Sequence, residues 1–114
     1  MSKKNRKYGH RRFYEILEEE AELHAAKNRD YTRGGDPLGN AKRVAAILSL
    51  YPGLDPSKPE IVFMIYALKQ LDAFLWMSAG DYEGSVEGRG ERLADISVYG
   101  KLIRIICEEQ DAGK

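Results

Sequence analysis

Residues 59–78 read PEIVFMIYALKQLDAFLWMS, and this stretch decides the fold because its apolar residues recur with the period of an α-helix. At about 100° of rotation per residue, large apolar side chains fall on one face of the segment. These are Ile61, Ile65, Leu68, Leu75 and Trp76. Asp72 falls within the same face, and Lys69 lies one turn before it. The stretch therefore predicts a core helix that carries polar groups on its buried face.

Turn-forming segments bound this helix on both sides. YPGLDPSKP, residues 51–59, precedes it, and prolines are favoured in the first turn of a helix, directly after a capping Asp or Ser. The candidates are Pro56 or Pro59 for the first turn and Asp55 or Ser57 for the cap. The glycine-rich GDYEGSVEGRG, residues 80–90, follows the helix and ends it near Ser78.

Three further segments have helical periodicity, and no segment has the alternation of a strand. The predicted helices cover roughly residues 11–29, 38–50 and 87–109, and the glycines and proline of residues 34–37 separate the first two. Four helices with short connections predict an all-α, four- to five-helix bundle. We interpret residues 13–110 as a single helical domain, and residues 1–12, MSKKNRKYGHRR, as a basic, flexible tail.

The composition is that of a soluble globular protein of 114 residues, with 18 basic and 18 acidic side chains. The resulting net charge of +0 provides no overall field that would attract nucleic acid or an anionic membrane. Cys107 is the single cysteine, which excludes an intramolecular disulfide and a cysteine-rich zinc site. We expect no segment to be long and apolar enough to span a bilayer, and we therefore expect a cytoplasmic protein without a membrane partner.

Each helix is predicted to turn a polar side chain toward the interior of the bundle. In the first helix, Glu20 lies at the centre of an apolar stripe formed by Phe13, Ile16, Leu17 and Leu23. In the second helix, Asn40 is in line with Val44, and in the fourth helix Glu91 and Asp95 extend the apolar face toward the N-terminus. A single inward carboxylate has a simple explanation, such as an ion pair or access to water at a helix end.

Four inward carboxylates are harder to explain in this way, because unpaired buried charges are costly and like charges repel. A divalent cation would offset them, and oxygen ligands suit Mg²⁺, with Mn²⁺ as a second possibility. The predicted metal ligands are Glu20, Asp72, Glu91 and Asp95. His24 leaves a carboxylate–histidine di-iron site open as an alternative, but the sequence lacks the Glu-x-x-His pairs that such a site requires.

HAAKNRDYTRGGDPLGN, residues 24–40, joins the first two helices and is rich in basic residues and glycine. Its basic side chains are those of Lys27, Arg29 and Arg33. A flexible basic segment beside a metal suits a nucleotide polyphosphate, because the metal and the basic groups neutralise phosphate. The segment lacks the pattern of a P-loop. Tyr31 and Asn40 could position the nucleotide, although Tyr31 would fit equally well as a core side chain.

Four motifs then follow one another in a recognisable order: KNRDY with GDPLGN, KRVAAILSLY, YALKQLDAFL and ERLADISVYG. Over roughly residues 20–106, their order resembles small phage and prokaryotic proteins of the all-α NTP pyrophosphatase superfamily, the MazG and dimeric dUTPase relatives. The nearest pattern is that of the uncharacterised nucleotide-modification-associated branch. The resemblance implies a helical bundle of that type, which binds Mg²⁺ and cleaves an NTP or dNTP to the monophosphate and pyrophosphate.

The resemblance also implies site residues, carried over by position. The helix-four acidic pattern falls on Glu91 and Asp95, the helix-three lysine on Lys69, the loop pair on Asp30 and Tyr31, and the helix-start Asn on Asn40. The departures from the family pattern are Asp72 for Arg, Thr32 for Gly, Ala41 for Phe and Glu91 for Asp. The Glu-x-x-Glu pair of the superfamily is available as Glu19 and Glu22, which the helical phase turns outward.

The main hypothesis is a Mg²⁺-dependent nucleoside triphosphate pyrophosphohydrolase or a nucleotide-binding relative. Glu20 and Asp95 would be its catalytic residues, since a carboxylate has to take a proton from the attacking water. Its nucleotide would be bound by Lys27, Asp30, Tyr31, Asn40 and Lys69.

An alternative hypothesis is a non-catalytic helical oligomerisation or interaction module on the same scaffold. Helix four supports it, because Leu93, Ile96 and Ile103 form a second apolar side. Both hypotheses predict a homo-oligomer, either a dimer or a tetramer. A third hypothesis, a nucleic-acid binder that uses the basic tail, is less favoured by the balanced charge.

Overall fold

The computed structural model describes residues 8–32 and 35–113 of the chain, and within these ranges the protein is all-α. Its helices are α1 (Arg11–Thr32), α2 (Gly39–Leu48), α3 (Pro59–Gly80) and α4 (Arg89–Ala112). The described residues contain no strand, so the predicted all-α bundle of four helices is confirmed. The first part of the predicted basic tail, residues 1–7, lies outside the described residues, as do Arg33 and Gly34 of the predicted phosphate-binding segment.

The ends of α3 follow from local sequence. Pro59 occupies the first turn as predicted, but Lys58 precedes the helix and no side chain caps it. Asp55 instead accepts hydrogen bonds from the backbone N–H (2.9 Å) and hydroxyl (2.6 Å) of Ser57, which closes the turn before the helix. At the other end, Asp81 adopts a left-handed conformation with φ of 53°, which Asp tolerates better than most residues.

Helices α3 and α4 form an antiparallel pair, which we call the hairpin. Gln110 near the end of α4 donates a hydrogen bond of 3.1 Å to Glu60 at the start of α3, and Gln70 donates one of 2.9 Å to Asp95. An aromatic cluster with ring centroids 5.8–6.0 Å apart fills the space between these two contacts. It consists of Phe63, Tyr66 and Tyr99.

The other two helices attach to the second half of α3. Trp76 on α3 donates a hydrogen bond of 2.8 Å to the carbonyl oxygen of Thr32 at the end of α1. The guanidinium of Arg43 on α2 lies 4.4 Å from the centre of the Trp76 ring. Within α1, only Asp30 and Thr32 are buried, so α1 is anchored by its C-terminal turn alone.

The buried part of the molecule is small and unusually polar. The buried apolar residues are Val44, Ala67, Ala73 and Met77, and the buried polar residues are Asp30, Thr32, Gln70, Asp72 and Arg92. The radius of gyration is 18.6 Å, whereas a compact domain of this length has about 13 Å. A single chain is therefore elongated, and it buries fewer large apolar side chains than its composition would allow.

Two expectations from the sequence need correction. The apolar stripe of α1 was expected to be buried, but in the single chain it is exposed, because no other helix lies against the first two thirds of α1. In addition, α3 is long and apolar enough to cross a membrane by length and composition, contrary to the expectation that no segment would be. The core helix of a soluble protein meets the same criterion, so this finding by itself does not place α3 in a membrane.

Candidate functional site

All four helices contribute to one cluster of polar and aromatic side chains, which we call the polar junction. It comprises Tyr31 from α1, Asn40 and Arg43 from α2, Lys69, Gln70, Asp72 and Trp76 from α3, and Arg92 and Asp95 from α4. Helical periodicity explains why they meet. On α3, residues 69, 72 and 76 lie on neighbouring turns, so they can contact the same side of α1 and α2.

Asp72 is the anionic centre of the α2 side of the polar junction. Arg43 donates two hydrogen bonds to its carboxylate, of 2.6 and 2.8 Å, and Asn40 donates a third of 2.8 Å. The carboxylate is 8% exposed, and the fork of Arg43 matches its geometry. Asp72, which we predicted to be a metal ligand, is thus neutralised by an arginine of the same chain, and the simple explanation of an inward carboxylate applies to it.

Arg92 occupies the corresponding place on the α4 side and is 2% exposed. It donates a hydrogen bond of 2.6 Å to Gln70 and forms an ion pair of 2.8 Å with Glu87. Its guanidinium lies 4.9 Å from the centre of the Tyr31 ring, within cation–π distance. The Nε of Arg92 is buried and has no hydrogen-bond partner in the described part of the chain. A fixed positive charge with spare donor capacity therefore lies beside Tyr31.

Lys69 approaches the same tyrosine ring, and its Nζ lies 5.4 Å from the ring centre. Unlike Arg92, Lys69 is exposed, and it forms no ion pair with any residue in the described ranges. Asn40 donates a hydrogen bond of 3.4 Å to the backbone carbonyl of Lys69, which connects the two halves of the junction. Three of the predicted nucleotide-binding residues, Tyr31, Asn40 and Lys69, are thus brought together.

Asp95 lies at the edge of the polar junction and is half-buried. Gln70 donates a hydrogen bond of 2.9 Å to its Oδ2, and no cation in the described residues forms an ion pair with it. Of the four predicted metal ligands, Asp95 is the one that combines partial burial with a carboxylate not paired to a base.

The other predicted ligands lie elsewhere. Glu20 is exposed in the middle of α1, far along the helix from the buried turn that joins α1 to the rest of the chain. Glu91 is exposed and accepts a hydrogen bond of 3.4 Å from the backbone N–H of Gly88, directly before the first turn of α4. No group of three or more His, Cys, Asp or Glu that could hold a metal ion occurs among residues 8–32 and 35–113. The expected convergence of Glu20, Asp72, Glu91 and Asp95 is therefore not found within one chain.

Two predicted nucleotide-binding residues, Lys27 and Asp30, also have different surroundings from those expected. Lys27 is exposed on α1 and makes no ion pair with a described residue. Asp30, expected in the nucleotide loop, is 1% exposed and binds the segment between α3 and α4. It accepts hydrogen bonds from the backbone N–H of Ser85, Val86 and Glu87 and from the Ser85 hydroxyl, at 2.6–3.1 Å.

Asp30 thus acts as a latch between α1 and the 84–88 segment. Burial opposes its ionised form, but the hydrogen bonds from Ser85, Val86 and Glu87 outweigh burial and lower the pKa of Asp30. Gly84 is required here, because a Cβ would collide with the carbonyl oxygen of Glu87 and approach Asp30 to 3.0 Å. The role of Asp30 is to hold the start of α4 against α1, so the carboxylate has little capacity left for a ligand.

Sequence reasoning missed three residues of the polar junction: Arg43, Gln70 and Arg92. A signal was present for Arg43, which lies one turn after Asn40 and so on the same face of α2. No comparable signal marks Gln70 or Arg92, because their contact joins two helices whose relative position the sequence does not give. Periodicity shows which face a side chain occupies, but it does not show which charge will pair with it across helices.

Comparison with known proteins adds no relative: the chain matches no protein-family model, no curated protein and no solved structure.

Proposed function

We propose that this protein binds a nucleotide polyphosphate at the polar junction, as a nucleotide-binding relative of the all-α NTP pyrophosphatases. The observation that supports the proposal most directly is the meeting of Tyr31, Asn40 and Lys69. The sequence predicts these residues as nucleotide contacts, and they lie in one connected cluster although they belong to three helices.

The chemistry of the cluster suits an anionic, partly aromatic ligand. Lys69 carries an exposed ammonium without an ion-pair partner in the described residues, whereas the buried charge of Arg92 beside the Tyr31 ring is already paired with Glu87. Phosphate is bound by such groups through charge-assisted hydrogen bonds. The Tyr31 ring offers a face for stacking, and the side-chain oxygen of Asn40 remains available to accept a hydrogen bond from a base or sugar.

The residues present fit a bound Mg²⁺ only in part. Mg²⁺ is commonly held by one or two carboxylates together with the phosphates of its nucleotide, and Asp95 could supply one of them. A site built from four carboxylates of one chain does not fit, since Asp72 is paired with Arg43 and Glu20 lies far from the junction. The arrangement therefore supports nucleotide binding more strongly than hydrolysis, because hydrolysis would require a complete metal site in addition to the nucleotide contacts.

Isothermal titration of the full chain with each NTP and dNTP, with and without Mg²⁺, tests binding, and release of pyrophosphate tests hydrolysis. We expect Lys69→Ala to weaken nucleotide binding at least tenfold. Lys101→Ala is the matched control, because Lys101 is also an exposed lysine of the hairpin but contacts only Ser97 in its own turn. Absence of binding to every nucleotide in both conditions would reject the proposal, as would equal losses in the two variants.

The non-catalytic interaction module remains a second candidate, and one observation favours it. Many large apolar side chains are exposed in the single chain, including residues on α1, α3 and α4. Asp95→Asn separates the two candidates, because the substitution removes a charge but keeps the hydrogen-bond acceptor for Gln70. Loss of Mg²⁺-dependent nucleotide binding in a folded variant supports the nucleotide protein, and an unchanged binding isotherm counts against a metal role for Asp95.

A further inference from the structure

Residues 11–27, about three quarters of α1, form what we call the α1 arm, and its apolar side is uncovered. Phe13 is 58% exposed and Leu23 is 53% exposed, and Ile16 and Leu17 lie between them on the same face. An isolated helix of this length is marginal in water, because helix formation has a costly nucleus and needs tertiary packing. The α1 arm therefore requires packing against apolar groups that its own chain does not provide.

The hairpin carries uncovered apolar residues as well. On α3 these are Met64, Leu71 and Leu75, which recur at seven and four residues and so share one face. On α4 they are Val98, Leu102 and Ile105, at spacings of four and three. The chain thus has both an apolar arm and apolar surfaces on a rigid pair of helices, and neither kind of surface is satisfied within the single chain.

The single chain exposes more surface than a compact monomer of its mass. The accessible surface of the chain is 8475 Å². A compact monomer of 12.9 kDa exposes about 6300 Å². The excess is about 2200 Å² per chain, or about 4400 Å² for two chains, which lies within the range of obligate homodimer interfaces.

We propose that a second copy of this chain covers the α1 arm, with the arm of each protomer packed on the hairpin of the other. In a two-fold symmetric homodimer of this kind, the arm of each protomer buries apolar residues of the other protomer's hairpin. Both apolar surfaces are then buried at once, because each copy has the same arm and the same hairpin. The competing cover for an apolar helix face is an anionic membrane, but residues 11–27 carry five glutamates against two arginines and one lysine, and such a segment is not attracted to an anionic surface. This inference is independent of nucleotide binding.

Glu20 lies at the centre of the apolar side of the α1 arm, between Leu17 and Leu23. Covering the arm places its carboxylate inside the interface, where an unpaired charge would be costly, so a cation of the second copy has to lie opposite it. A single polar residue in an apolar seam fixes alignment and the number of subunits in helical assemblies, at some cost in affinity. Glu20 is therefore assigned as a positioning residue of the homodimer.

Sedimentation velocity of the full chain between 0.5 and 100 µM tests the homodimer. We expect a species of about 26 kDa, twice the mass of 12.9 kDa, and a thermal unfolding midpoint that rises with protein concentration. A mass of 12.9 kDa at 100 µM with a midpoint independent of concentration overturns the proposal. So does a monomer that binds to neutral phosphatidylcholine vesicles, because a bilayer would then be the cover.

Leu17→Glu tests whether the α1 arm is the surface involved, and we expect it to weaken dimerisation at least a hundredfold. Ala25→Glu is the matched control, since it adds the same charge to an exposed position of α1 away from the apolar side. Leu75→Glu on the hairpin should act like Leu17→Glu. A dimer that survives Leu17→Glu and Leu75→Glu with unchanged affinity, or one that Ala25→Glu weakens equally, overturns the assignment.

Discussion

The two ends of α1 have opposite relations to solvent. Its C-terminal turn is polar, yet Asp30 is 1% exposed and each oxygen of its carboxylate accepts two hydrogen bonds. Its N-terminal part is apolar on one side, yet Phe13 and Leu23 are more than half exposed. In a monomeric globular protein the usual arrangement is the reverse. The difference indicates that the polar contacts of the C-terminal turn of α1 are completed within the described chain, while the apolar contacts of the α1 arm require another molecule.

The ion pair of Arg43 and Asp72 in the polar junction should give the largest loss of stability when it is broken. Asp72→Ala leaves Arg43 and Asn40 without their shared acceptor in a largely buried position, and we expect a loss of about 3 kcal/mol in the free energy of unfolding. Urea denaturation at a fixed protein concentration measures it. The control is Glu109→Ala, an exposed carboxylate of α4 that should change stability by less than about 0.5 kcal/mol. Equal effects of the two substitutions would contradict the structural role of Asp72.

The Asp30 latch should give the next largest effect, and this effect should depend on pH. Asp30→Asn replaces one acceptor oxygen by an N–H donor that faces backbone N–H groups. We expect this substitution to lower the free energy of unfolding by about 2 kcal/mol at pH 7. Because the pKa of Asp30 is lowered in the folded chain, its ionised form stabilises the fold fully above the unfolded value of 3.8. That stabilisation is lost as the pH falls through the lower folded pKa.

Denaturation of both proteins at pH 7 and at pH 3 measures this dependence. The difference between wild type and Asp30→Asn should be largest at pH 7 and smaller at pH 3. A difference that stays constant between the two pH values would show that ionisation of Asp30 does not contribute to the latch.

The α1 arm can be examined by replacing Glu20, the charged residue at the centre of its apolar side. Glu20→Leu makes the side of the α1 arm continuously apolar but leaves the cation of the second copy without its partner, and we expect dimerisation to weaken about tenfold, equivalent to about 1.4 kcal/mol. We also expect larger species beside the dimer. Glu22→Leu, which places the same leucine on the opposite side of α1, should leave the sedimentation profile unchanged. Tighter association of Glu20→Leu would mean that no cation of the second copy lies opposite the carboxylate.

The smallest effect is expected for an exposed ion pair, which provides the contrast to Arg43 and Asp72. Arg104 and Glu108 lie one turn apart on α4 with an N–O distance of 3.1 Å, and their side chains are 81% and 62% exposed. Arg104→Ala should change the free energy of unfolding by less than about 0.5 kcal/mol, because water and salt screen the pair. A loss comparable to that of Asp72→Ala would indicate that the α4 surface around Arg104 is buried in the assembly.

Much of the fold could be predicted because helix signals are local. The four helices, their order and the proline start of α3 follow from periodicity, proline and glycine in short windows. The meeting of Asn40, Lys69 and Tyr31 was accessible to the same reasoning, since the phase of each helix determines which side chains face its neighbours. The capping of α3 could not be predicted in this way, because Ser57 donates a hydrogen bond to Asp55 and neither side chain caps the helix.

The sequence by itself determined the helices and the face on which each polar residue lies. The tertiary structure decided which of these groups are paired. It placed Arg43 against Asp72, used Asp30 to hold the 84–88 segment, and left Glu20 and the α1 arm without cover. The physical reason is that periodicity depends on neighbours within one turn, whereas pairing and burial depend on ångström distances between helices far apart in the chain. For the α1 arm, we infer that pairing and burial also depend on a second copy of the chain.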